Sequence, residues 1–367
     1  MMKIKTLTAA LMLGAGLGFA TEATDTLSLQ LFRNLTENTE GNMAYSPTGV
    51  EAVLRQLKSY SAGETLAELS ALPMSNKAAT FNINTTQADA LFVAKRLPLQ
   101  PNVTDVVTLD FSQSAQAATT INKWFSKHTN GLINNLVQAN DFSELTAFVA
   151  ANALYLKEKW AFPFDPNNSF PGEFTLADGT TIEVNMMSRT AKYAAVKGED
   201  WVAMALPYAA SRRGGNNCYF IAIRPTKDAR GFAANLSADQ YQDIISRLRA
   251  AQHDGPATCR VIMPSFTVDG ATLSLNDALK SAGLNRIFSY ADFSKLTTAE
   301  DLYLSKVMQK CYVSVNEEGT EAAAATAAVA NFRSLPRTVV MDRPFIWIIG
   351  DLSGNTTPLF MGIVEKP

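Results

Sequence analysis

Apolar residues recur along this chain with two different periods, and the switch between them marks the elements. Leu27, Leu29, Leu31, Phe32 and Leu35 are spaced for a helix laid on a core. Ser46-Pro47 interrupts the chain before a second helical run from Val50 to Leu57. The run Ala88 to Ala94 predicts a strand, and Ala117 to Val137 predicts a helix with Ile121, Trp124 and Phe125 on its apolar side, interrupted at Asn130-Gly131. Phe148 to Leu156 is apolar without alternation, the pattern of a central strand buried on both faces. Tyr219 to Ile223 and Val261 to Phe266 predict further strands, with Lys227 to Ala250 helical between them. Helices dominate early and strands late, without a repeat or a dividing linker, which points to an α+β fold.

The last sixty residues carry the clearest pattern. From Lys306 to Val315 the chain alternates, with Val307, Gln309, Cys311, Val313 and Val315 on one face and Lys306, Met308, Lys310, Tyr312 and Ser314 on the other. Phe345 to Ile349 and Pro358 to Val364 predict two buried strands joined as a hairpin through the turn-rich Asp351 to Asn355. Between these strand regions lie the 24 residues Glu317 to Val340, almost all small, with no apolar stripe to anchor them. A connection of that length is usually functional or disordered. An alanine-rich helix is the competing reading, since alanine has the best helix propensity, and residue physics alone leaves the readings balanced.

Composition narrows the chemistry. The 367 residues are 47% hydrophobic and 18% charged, with a formal net charge of −2, so nothing favours a nucleic-acid surface. His128 and His253 are the only histidines. There is no His-Glu-x-x-His, no Cys-x-x-Cys, no Gly-x-Ser-x-Gly and no phosphate loop, so a histidine triad or a zinc centre has almost nothing to be built from. Gly14-Ala15-Gly16-Leu17-Gly18 lies within an apolar N-terminal run and is set aside as a nucleotide fingerprint. That run, with Lys3 and Lys5 before it and Gly18-Phe19-Ala20 closing it, predicts a secretory signal over residues 1–20, bacterial in style. It is too short to span a bilayer comfortably, and no later segment is long and apolar enough. The expectation is a secreted or periplasmic protein with no membrane segment. Export permits disulfides, but Cys218, Cys259 and Cys311 are odd in number and far apart, and are expected to be small buried hydrophobes.

Specific residues in this order resemble a known family. Glu317-Glu318-Gly319-Thr320-Glu321-Ala322-Ala323-Ala324-Ala325 closely resembles the hinge of inhibitory serpins, and Asp342-Arg343-Pro344-Phe345 through Pro358 to Gly362 resembles their C-terminal signature. Asn42 to Pro47, Ile121 to Gly131, Asn152 to Trp160 with Pro163-Phe164, and Glu183 to Met187 match further family blocks, so the likeness covers essentially the whole chain from residue 21. The resemblance implies one α+β domain over residues 21–367, with three β-sheets, eight or nine helices and an exposed reactive-centre loop near 317–340. It implies no catalytic residues, no metal and no cofactor. It also implies a suicide mechanism in which a protease attacks a bait bond and the cut loop enters the main sheet as a new strand.

That mechanism makes demands on the residues. An inserted strand alternates between its two faces. Thr320, Ala322, Ala324, Thr326 and Ala328 form an inner face without charge or bulk, and Glu321 falls on the outer face. Gly319 supplies backbone freedom where the loop folds back. The family's bait residue lies sixteen positions beyond the first hinge Glu, which here gives Arg333 and the bond Arg333-Ser334, with Phe332 beside it. An arginine there suits trypsin-like serine proteases, whose acidic pocket would pair its charge. A shift of one residue would instead offer Phe332 to chymotrypsin-like enzymes.

The same resemblance marks a strand-opening cluster: Ser46 and Asn152 match, Gly49 replaces the usual second Ser, Gln309 replaces the usual His, and Trp160 matches the position near the top of the sheet where the loop first enters. Gln both donates and accepts, so a network can persist. Lys95-Arg96 reads as a solvated pair, and no heparin site is expected. A monomer is expected, with loop-into-sheet polymerisation left open. Two other readings compete: a serpin-fold carrier or chaperone whose loop is cut as a plain substrate, and a hydrolase, which the scarcity of histidine opposes.

Overall fold

A computed structural model describes residues 25–75, 81, 83–209, 218–320 and 336–367. Three sheets organise it. The largest runs in the order β3 (Val107–Leu109), β2 (Thr85–Ala94), β4 (Phe148–Leu156), β14 (Lys306–Asn316), β15 (Gly319–Thr320) and β5 (Glu158–Lys159), with β12 (Phe266–Asp269) and β13 (Leu273–Ser274) also paired to β14. The second is β1 (Met43–Tyr45), β18 (Phe360–Val364), β17 (Phe345–Gly350), β10 (Tyr219–Pro225), β9 (Trp201–Pro207) and β8 (Ala194–Lys197). The third is β16 (Arg337–Val340), β11 (Thr258–Pro264), β7 (Thr181–Lys192) and β6 (Phe170–Thr175).

Seven α-helices accompany the sheets among the described residues: α1 (Leu27–Asn38), α2 (Pro47–Tyr60), α3 (Gly63–Ala71), α4 (Ser114–His128), α5 (Ala229–Ala234), α6 (Ala238–His253) and α7 (Asn276–Ser281). The resemblance implies eight or nine. Short 3-10 turns, as at Ala139–Asp141, Pro166–Asn168 and Arg286–Phe288, occupy further bends.

Two expected helices end sooner than their apolar pattern. Asn130 and Gly131 take positive φ, 53° and 81°, which stops α4 at His128 instead of carrying it to Val137. The residues beyond are held by a side chain, since Asn122 Oδ1 accepts from the backbone N–H of both Leu136 and Val137. The run expected helical from Lys227 to Ala250 divides into α5 and α6, because Ser237 caps a new helix by accepting from Gln240 N–H at 3.1 Å.

Strand β4 is buried at all nine positions, as its unbroken apolar run predicts. Leu91 and Val93 of β2 face one core with α2, while Ala88, Ala90 and Phe92 face another with Ile121 and Phe125 of α4. The main sheet is therefore sandwiched between α2 and α4. At its centre β4 and β14 run parallel and pair directly, from Lys306 opposite Val149 to Tyr312 opposite Tyr155. All three cysteines are free and buried, and burial pushes the Cys311 thiol up.

Candidate functional site: the seam of the main sheet and the root of the loop

The β4–β14 seam is bolted from beneath at one rung. Asn152 lies directly opposite Gln309 on one side and opposite Asp89 of β2 on the other. Ser46 reaches the same rung because α2 begins there: Pro47 is its first residue, and Ser46 Oγ accepts from Gly49 N–H at 3.0 Å. Gln309 replaces a ring with a two-ended amide. Its Oε1 accepts from Ser46 N–H at 2.7 Å, and its Nε2 donates to Ser46 C=O at 3.0 Å and to Asn152 Oδ1 at 2.6 Å. Asn152 Nδ2 then donates to Asp89 Oδ1 at 2.5 Å. Ser46, Asn152 and Gln309 are all buried, so each bond stands in for water that cannot enter.

Gly49 completes this arrangement by absence. A Cβ there would sit 2.7 Å from Asn152 Cγ and 2.8 Å from its Nδ2. The two departures from the family pattern therefore fit each other: the glycine leaves the volume that Asn152 fills while it serves Gln309.

About 20 Å away, six residues further along β14, the loop begins. Gly319 and Thr320 already form a strand, antiparallel to Val315 and Asn316 on one side and to Glu158 and Lys159 on the other. Trp160 belongs to this end and not to the Ser46 rung. Its backbone N–H donates to Glu318 C=O at 2.9 Å, its indole Nε1 donates to Asn316 C=O at 2.9 Å, and its ring stacks on Tyr208 with centroids 4.9 Å apart. Thr320 is fully buried, and its hydroxyl lies 3.0 Å from Tyr208 Oη. Phe164 N–H donates to Glu317 C=O at 2.7 Å. The Glu317 carboxylate accepts from Ser169 Oγ at 2.7 Å and Asn185 Nδ2 at 2.9 Å. Burial alone would raise its pKa, but these bonds hold it below the ordinary glutamate value.

Of the residues singled out in the sequence, Ser46, Asn152 and Gln309 meet at one rung, while Trp160, Glu317, Glu318, Gly319 and Thr320 meet at the other end of the seam. Glu321 to Ala325, Phe332, Arg333 and Ser334 lie outside the described residues, as does the expected signal at 1–20. Asp89, Tyr208, Asn316, Ser169 and Asn185 were not legible as site residues. A hint was present for Asp89, the one charged residue in the run Ala88 to Ala94. Among the described residues no cluster could hold a metal, and no helix is long and apolar enough to cross a membrane.

A sheet with a directly paired parallel seam and a loop root already seated at one end is the arrangement of a serpin. The family model described as "Serpin (serine protease inhibitor)" matches residues 22–367, and the chain belongs to the serpin family. It is 30% identical to plasminogen activator inhibitor 1 of Neovison vison over 391 residues, covering 95% of this chain and 93% of that one. It is 31% identical to neuroserpin of Gallus gallus, covering 72% of this chain and 64% of the other. Among solved structures, native protease nexin-1 with heparin matches with a TM-score of 0.78 and 26% identity, covering 93% of this chain and 97% of that one. Serine protease inhibition is the function these relatives support, and serpins act as inhibitors rather than as catalysts.

Proposed function

We propose that this protein is a secreted suicide inhibitor of trypsin-like serine proteases, with Arg333-Ser334 as the bait bond. The protease serine oxygen attacks the Arg333 carbonyl carbon. The bond to Ser334 nitrogen breaks, the amine leaves with a proton from the protease's base, and Arg333 remains as an ester on the protease. The cut loop then continues the strand that Gly319 and Thr320 begin.

One observation carries this reading: the seating of Gly319-Thr320 between the ends of β14 and β5. Thr320, the last described residue before the bait, ends a strand that lies beside β14 at the end of the β4–β14 seam. A strand entering there runs antiparallel to both neighbours, so one parallel ladder gives way to two antiparallel ones. Residues 321–333 extend to roughly 43 Å and β4 to roughly 30 Å, so the loop reaches the length of the seam with the bait residue beyond it. The Ala- and Thr-lined inner face of 320–328 lets the strand pass over the buried surface without a charge to desolvate. The signal-like segment 1–20 supports export.

The test is to mix the purified protein with trypsin, run a denaturing gel and take intact masses. A covalent band near the sum of the two proteins and a released peptide beginning at Ser334 are expected, and Thr320→Arg is expected to convert the inhibitor to a cleaved substrate. Full cleavage with trypsin still active would refute the trap and favour a carrier whose loop is a plain substrate.

A further inference from the structure

The third sheet is polarised along its strands. Where β16 begins, Arg337 lies opposite Cys259 of β11, which lies opposite Ala191 of β7. Arg260 and Lys192 each stand one residue from that rung, and all three cations are exposed. Nine residues back along β7, roughly 30 Å away, Glu183 lies directly opposite Glu173 of β6, both exposed. Like charges facing each other across a ladder are unfavourable, and each set lies well beyond screening distance of the other.

Elsewhere this chain pairs its arginines. Among the described residues outside this sheet, seven of nine arginines meet a carboxylate, as Arg33 meets Asp25 and Arg230 meets Glu365. Within the sheet none of the three does so among the described residues. Arg189 donates to the Pro163 carbonyl, Arg260 Nε donates to Ser188 Oγ at 3.0 Å, and Arg337 opens β16 at the sheet edge. In a chain of net charge −2 this leaves a positive edge. We infer that Arg337, Arg260 and Lys192 form a docking surface for the target protease, and select one whose rim beside the active site is acidic. This rests on the reading of Arg333-Ser334 as the attacked bond.

Chain geometry ties this edge to the bait. Arg337 follows Arg333 by four residues, which holds any bond attacked there within about 14 Å of it. Strand spacing places the Cα atoms of Arg260 and Lys192 within about 10 Å of Arg337. A protease body that covers the bait bond therefore overhangs all three cations. Exposed rim charges act on the encounter: they speed association with a partner of opposite sign, and the effect fades with salt. The bait arginine decides what enters the specificity pocket, and the edge decides which protease with that pocket arrives fastest. At the far end Glu173 and Glu183 repel what the cations attract, beside Asn185, which holds the Glu317 carboxylate at the root of the loop. The sheet thus orients an approaching protease, with its acidic rim toward β16.

The test measures the second-order rate at which the Arg333 bond is attacked by two trypsins of opposite net charge, one anionic and one cationic. Wild type is compared with the triple variant Lys192→Glu, Arg260→Glu, Arg337→Glu at about 0.02 M and about 0.5 M salt. At low salt the anionic enzyme is expected to react about tenfold more slowly with the variant than with wild type, and the cationic enzyme faster. High salt is expected to collapse both differences. If the loop is cut without trapping, the rate of cleavage reads the same charge dependence, so failure of the trap and failure of the docking surface stay distinct. A variant that keeps the wild-type preference between the two trypsins at low salt overturns the proposal. Charge reversal that moves neither rate but abolishes retention on a polyanion column also overturns it, and assigns the edge to a polyanion. A bond that neither trypsin attacks overturns both readings.

Discussion

Replacing Gly319 with Ala attacks the seated root of the loop at its tightest point. Gly319 has φ of 155°, and a Cβ there would lie 2.7 Å from Lys159 Cα and overlap the Glu158 carbonyl. Both obstacles are backbone, so neither can swing aside. The added methyl must push the two-residue strand out of its place between β14 and β5. That sacrifices two to four ladder bonds and the buried Thr320–Tyr208 contact, or about 2–5 kcal/mol at ~1 kcal/mol per hydrogen bond. If a third to a half of this reaches the barrier to loop entry, insertion slows by roughly 3-fold to 60-fold, at tenfold per ~1.4 kcal/mol. A slower strand loses its race with hydrolysis of the ester, so more inhibitor is consumed per protease trapped. The assay titrates a fixed amount of trypsin with wild type and Gly319→Ala and reads the molar ratio that abolishes activity. Several-fold more variant than wild type is expected, with unfolding of the body little changed. A variant that titrates trypsin at the wild-type ratio would refute the argument that the seated root starts insertion.

Two further outcomes follow from the same contacts. Gly49→Ala forces Asn152 off its rung, costing a neutral bond to Gln309 and a charge-assisted bond to Asp89. These total about 3 kcal/mol, offset by ~1 kcal/mol of helix propensity, so urea unfolding should show a net loss of about 2 kcal/mol, and stability at or above wild type would be the contrary result. Glu317, with its pKa held below 4.5 by Ser169 and Asn185, contributes stability that is full above that value and fades as pH falls through the depressed one. Glu317→Gln should therefore flatten the acid end of the unfolding profile below pH 4.5, which thermal melts at graded pH would reveal; an unchanged acid limb would count against the tether.

The elements were largely legible because each rests on a local period. The unbroken apolar run of β4, the alternation of β14, the Phe345–Val364 hairpin and the stripes of α1 and α2 all follow from which faces must leave water. Where the pattern overran, at α4 and between α5 and α6, a positive-φ pair and a capping Ser ended helices that apolar spacing alone would have continued. The family also stood in the sequence, since its signature residues are contiguous and their spacing is a chain property.

What no period could supply is who meets whom across hundreds of residues. Ser46, Asp89, Asn152 and Gln309 share one rung only because α2 packs under three strands whose register is set by the whole sheet. Gly49 reads as a missing serine in the sequence and as room for Asn152 in the fold. Trp160 separates from that group because its strand end lies along the seam, at the seated root, where Tyr208 arrives from another sheet. Residue type and spacing thus determined the elements and the family, through short-range sterics and solvent. The tertiary structure alone decided the lock, because hydrogen-bond direction at a buried rung depends on partners that only long-range packing brings within 3 Å of one another.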